Sequence, residues 1–153
     1  MPDDSYFMRI AIQEALTGLA HGEQPFGTVI AMDDVIICQT YSRKVGLSDP
    51  TAHAETLAVR TASQKLKQRT LEGCVLYTTC EPCPMCLGAM HIAAIKRLVM
   101  GARLHDLSAN GVFRFGSYSA ENFAAMTGWN LEICGGVLGE ECVALYSNVP
   151  LSR

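Results

Sequence analysis

The sequence predicts a three-layer α/β/α sandwich built on a mixed five-stranded sheet, and three observations carry that expectation. Two apolar, β-branched runs flank Asp33-Asp34 and read as an antiparallel hairpin. Three further strand-like runs follow, most of them separated by stretches of helical periodicity, which implies parallel neighbours with right-handed crossovers. Apolar residues make up 49% of the 153 positions and charged residues 18%, enough to bury both faces of a sheet in one domain spanning 1–153. No internal repeat, low-complexity tract or linker divides it.

Met8, Ile12, Ala15, Leu16 and Leu19 recur at helical spacing, so 5–20 is expected to be a packing helix. Asp4 or Ser5 is expected to cap it, and Gly22 lies past its end. His21 reads as a surface residue. Runs 26–32 and 35–41 form the hairpin, with Gly27 allowing another group close to the first strand. Asp49-Pro50-Thr51 supplies two capping residue types and a first-turn proline, so the second helix is expected to start there and run to about 67. Runs 74–79 and 96–101 are the third and fourth strands, with a mostly apolar helix from 83 to 94 between them. A short helix at 119–127, a strand at 129–134 and a helix at 138–147 complete the order. Segment 104–116, punctuated by glycine, has no clear element.

The chemistry concentrates in two segments. Cys80-Glu81-Pro82-Cys83-Pro84-Met85-Cys86 opens the third helix, where positive backbone charge lowers thiol pKa and favours metal-binding thiolates. Thirty residues earlier, Thr51-Ala52-His53-Ala54-Glu55 offers an imidazole and a carboxylate. His53 and Glu55 lie roughly 200° apart around an ideal helix. They can serve one centre only at a helix start. His53, Cys83 and Cys86 would leave a tetrahedral zinc one position for water, the mark of a catalytic site. Such zinc lowers the pKa of its water toward about 7 and makes hydroxide available as a nucleophile. Glu55, unbound beside it, suits a general base that becomes a general acid. Three rivals compete: a closed zinc site with Cys80 as fourth ligand, an iron–sulfur cluster on Cys80, Cys83 and Cys86, and a Cys83/Cys86 redox pair. The last two leave His53 and Glu55 unexplained.

Charge and cysteine usage bound the rest. A formal net charge of −3 shows no basic face in bulk, which disfavours a protein that depends on gripping phosphate backbones. Seven cysteines and an acidic start at Met1-Pro2-Asp3-Asp4, without a secretory leader or membrane-length apolar run, predict reduced thiols and a cytoplasmic location.

H-x-E followed by P-C-x-x-C is the signature of zinc deaminases acting on nucleobases. With Pro25-Phe26-Gly27 and Asp49-Pro50-Thr51, these segments make the chain resemble the cytidine deaminase-like superfamily, on the branch of bacterial guanine deaminases and tRNA adenosine deaminases. The resemblance implies zinc on His53, Cys83 and Cys86, and Glu55 as proton shuttle. It further implies Phe26 packed on the base, the Ala54 backbone touching substrate, and a homodimer with active sites near the interface. Pro25-Phe26-Gly27 and 80–88 look like guanine deaminases, whereas 101–103, 131–133 and 139–145 look like the tRNA enzymes. Ser42 stands where the family commonly has an asparagine that orients the base, and 110–115 lacks the acid of guanine deaminases. Arg114 in that segment would suit an oxygen-rich substrate if it faced the pocket. The expectation is a hydrolytic deaminase of a nucleobase-like small molecule, a guanine-like free base first. A tRNA adenosine deaminase comes second, with tRNA disfavoured by charge, and cytosine or an aminotriazine third.

Overall fold

A computed structural model of the chain describes residues 2–110, 115–147 and 149. Helix α1 (Asp4–Ala20) leads into strands β1 (Gly27–Met32) and β2 (Val35–Tyr41), then α2 (Ala54–Leu66), β3 (Cys74–Cys80) and α3 (Pro84–Ile92). Strand β4 (Arg97–Ala102), a 3₁₀ turn (Leu104–Asn110), α4 (Ala120–Thr127), β5 (Glu132–Cys134) and α5 (Gly139–Ala144) follow. The five strands form one sheet in the order β2-β1-β3-β4-β5. β1 is antiparallel to both β2 and β3, while β3, β4 and β5 run parallel.

Alternation along the strands sorts side chains to two buried faces, as a period of two requires. Ile30, Leu76, Leu98 and Met100 meet Ala58 and Ala62 of α2, Leu87 and Met90 of α3, and Ala120 and Ala124 of α4. Val29, Ala31, Tyr77 and Val99 meet Phe7, Met8 and Ala11 of α1, and Cys142 of α5. The expected α/β/α sandwich is therefore the fold.

Asp33 and Asp34 both adopt positive φ, 49° and 62°, as a two-residue hairpin turn demands. Gly27 admits a close neighbour: a Cβ there would fall 1.9 Å from the Ala11 carbonyl oxygen, so the neighbour is helix α1. His21 is exposed at the end of α1.

Several boundaries differ from expectation. Asp3, not Asp4 or Ser5, caps α1, accepting from the Tyr6 N–H. Helix α2 starts at Ala54 instead of Asp49, because the Asp49 carboxylate accepts from the Thr51 N–H and hydroxyl at 2.8 and 2.7 Å and closes a separate turn. β2 and β3 are not neighbours across their helix; β1 lies between them. Trp129 does not begin β5 but fills the core and donates its Nε1–H to Ile95 O at 2.9 Å. The last helix is shorter than 138–147. Among the described residues no helix is long and apolar enough to cross a membrane.

This topology gathers one edge of the sheet for function. The carboxyl ends of β2, β3 and β4 and the start of β1 lie together there, where ligand sites form in open α/β sheets.

Candidate active site

Two helix N-termini meet at that edge. His53 is the N-cap of α2 and Cys83 the N-cap of α3, both in extended backbone, and neither side chain caps its own helix. Pro84 at the first position of α3 fixes the turn without losing a backbone hydrogen bond. Cys86 and Glu55 occupy the first turns of these helices. The requirement that His53 and Glu55 sit at a helix start is met.

His53 Nδ1 lies 3.6 Å from Cys83 Sγ and 3.5 Å from Cys86 Sγ, and the two sulfurs are 3.6 Å apart. Zinc–sulfur and zinc–nitrogen bonds of ordinary length at tetrahedral angles separate such donors by roughly 3.6–3.8 Å. The three donors therefore fit one zinc ion. No fourth His, Cys, Asp or Glu among the described residues joins them. Cys80 is buried against the α1 side of the sheet and borders the same cleft, but its sulfur is not among the converging donors, so neither the closed zinc site nor the three-cysteine cluster has its ligand.

The electrostatics suit a cation. Hydrogen bonding from Cys86 pulls the Cys83 thiol well below its ordinary range, and the His53 imidazole adds to this. Its hydrogen bond to Cys83 and its burial push the Cys86 thiol up. Two thiols so close share one negative charge, and a divalent cation among them stabilises the second thiolate.

Glu55 is 5% exposed. Its Oε1 accepts from the Thr78 hydroxyl at 2.7 Å, and its Oε2 stands 3.5 Å from Cys86 Sγ. Burial drives its pKa up, opposed by the Thr78 hydrogen bond. Glu55 borders a small cleft lined among others by Phe26, Ser42, Lys44, Ala54, Glu81 and Leu104. Phe26, Ser42 and Ala54 are thus brought to the same cleft as His53 and Glu55. The Ser42 hydroxyl is buried with no hydrogen-bond partner among the described residues. Arg114 lies outside the described residues.

Reading the sequence missed two supports. Glu81, 5% exposed, accepts from the N–H groups of Leu104 and Ala120 at 3.0 and 2.9 Å. It thereby ties the cysteine loop to the segment after β4 and to α4. A lone carboxylate inside an otherwise uncharged cysteine motif was the signal available. Thr78 had no such signal, because a threonine in a strand is ordinary.

A family model for the cytidine and deoxycytidylate deaminase zinc-binding region matches residues 1–102. The chain belongs to this family, and it is a zinc-dependent hydrolase of C–N bonds. It is 34% identical over 145 residues to a tRNA-specific adenosine deaminase of Buchnera aphidicola, covering 95% of this chain and 92% of that one. It is 42% identical over 106 residues to a guanine deaminase of Bacillus subtilis, covering 69% and 68%. Among solved structures, the guanine deaminase of Nitrosomonas europaea superposes with a TM-score of 0.84 at 25% identity, covering 95% of this chain and 84% of that one. Since a tRNA deaminase matches along nearly the whole chain, net charge does not count against tRNA.

Proposed function

We propose that His53, Cys83 and Cys86 hold the zinc and that Glu55 shuttles protons in the hydrolytic deamination of a guanine-like free base. One observation carries the reading: the Glu55 carboxylate is buried beside the three donors, belongs to the cleft, and is not one of the cluster. Zinc, when bound, supplies Lewis acidity that makes water a nucleophile near neutral pH. Glu55 accepts a proton from the attacking water and delivers it to the ring nitrogen. It then takes the proton of the newly added hydroxyl and passes it to the amine, which leaves as ammonia while the carbonyl forms. Phe26 packs against the ring face, the Ala54 backbone borders the base, and the Ser42 hydroxyl finds its partner on the substrate edge. A buried hydroxyl left unsatisfied costs about 1–3 kcal/mol, which a substrate hydrogen bond offsets.

The guanine-like ordering rests on the likeness of 25–27 and 80–88 to guanine deaminases and on the Bacillus and Nitrosomonas relatives. A tRNA adenosine deaminase is the second reading, favoured by the match of the Buchnera enzyme across almost the entire chain. Ammonia release from free guanine, cytosine and aminotriazines, from nucleosides and from a tRNA anticodon stem-loop decides between them. Release from guanine alone supports the first reading; release from the stem-loop alone replaces it with the second.

The family likeness further suggests a cytoplasmic homodimer. Met85 and Ile92 of α3, the latter 84% exposed, are apolar side chains that a second copy would cover. Light scattering on the purified protein checks it, and a monomeric mass removes it.

A further inference from the structure

We infer that Thr78 is a positioning residue, which fixes Glu55 so that Oε2 alone is its working oxygen, with Thr28 holding Thr78 in turn. The inference rests on Glu55 being the proton shuttle. Thr78 is fully buried on β3, and its hydroxyl has one proton, which it donates to Glu55 Oε1 at 2.7 Å. Thr28, fully buried on β1 and paired with Thr78 in the antiparallel register, donates its hydroxyl to Thr78 Oγ1 at 3.2 Å. The alternative acceptor for the Thr78 proton, the Gly27 carbonyl, is 3.5 Å away and so the weaker one.

Two hydroxyls therefore point one way, from Thr28 to Thr78 to Oε1, and each donation polarises the next. Oε1 is engaged by a protein donor. Oε2 faces Cys86 Sγ at 3.5 Å, on the side where the three donors converge. A carboxylate that must take and return a proton through several steps gains from a single fixed rotamer, because a small misplacement of a catalytic group costs rate and not binding.

The test compares Thr78→Val, which keeps the shape, and Thr78→Ser, which keeps the hydroxyl, in the zinc-loaded full chain on whichever panel member turns over. The valine variant should lose about tenfold to a hundredfold in kcat with KM within about twofold and zinc content unchanged. Serine should restore kcat to within about threefold of the parent. Thr28→Val should cost less, about threefold, since it removes only the second donor. An infrared difference spectrum gives a readout without turnover: Thr78→Val should shift a carboxylate band that is absent in a Glu55→Gln background. If the valine variant folds poorly, Thr78→Ala against Thr78→Ser isolates the hydroxyl with the same expectation. An unchanged kcat and carboxylate band in Thr78→Val, or a serine variant as slow as valine, overturns the inference. Failure of the shuttle reading looks different, since Glu55→Gln would then still turn over.

Discussion

The floor and the rim of the cleft are built by opposite strategies. His53, Glu55, Cys83 and Cys86 at the floor all lie within three residues of a helix N-terminus, and each already has a protein partner. The rim comes from three separate connections: Phe26 before β1, Ser42 after β2 and Leu104 after β4. There the Ser42 hydroxyl is buried and unpartnered. Helix starts are held by the packing of whole elements, so the floor is preorganised for one reaction. Loops change without disturbing the core, so on the proposed reading the rim is where substrate choice would vary. Relatives named for guanine and for tRNA fit this division.

The division predicts unequal effects. Removing a floor ligand should be the most damaging change: Cys86→Ala should lower bound zinc from one per chain to near zero and abolish turnover, as metal analysis and ammonia release together would show. Chelation should reproduce that loss in the parent. Glu55→Gln comes next, with zinc retained and kcat down by about 10²–10⁴-fold, the range general acid–base catalysis supplies; full activity would remove Glu55 from the mechanism. At the rim, Ser42→Ala should lower kcat/KM by about tenfold, mostly through KM, as expected for one lost hydrogen bond. A kcat loss as large as that of Glu55→Gln would erase the distinction between floor and rim.

The smallest effect should come from the Asp4–Arg97 pair, which joins α1 to β4 away from the cleft at 2.8 Å. Arg97 hydrogen bonding holds the Asp4 carboxyl below its usual range. A depressed pKa in the folded state means that the stabilisation is complete above the unfolded value, about 3.9, and is lost as pH falls through the lower folded one. Both side chains are partly exposed, so solvent screening limits the pair to under about 1 kcal/mol. Asp4→Asn should therefore lower the melting temperature slightly at pH 7, and the gap to the parent should close below about pH 4. A gap that persists at low pH would assign the loss to something other than charge.

How much was legible in the sequence follows the same line. The floor was, because zinc ligation restricts residue type and spacing together, and His53-x-Glu55 with Cys83-x-x-Cys86 has few other uses. The strands were also legible, since alternation serves two buried faces. The start of α2 was not: Asp49, Pro50 and Thr51 suit a helix N-terminus and a tight turn equally well, and the side-chain hydrogen bonds of Asp49 decided for the turn. Trp129 was misplaced because an aromatic residue before an apolar run resembles a strand, while its indole N–H needed the Ile95 carbonyl in the core. The supports of the floor, Thr78 and Glu81, depend on contacts 23 to 39 residues away, and residue type alone does not report such contacts.

Zinc-edge X-ray absorption on the purified chain tests the central claim most directly. The arrangement of His53, Cys83 and Cys86 predicts one zinc with two sulfur neighbours near 2.3 Å and one imidazole nitrogen near 2.0 Å, unchanged in Glu55→Gln. A third sulfur, drawn from Cys80, or a coordination sphere altered by Glu55→Gln would contradict it.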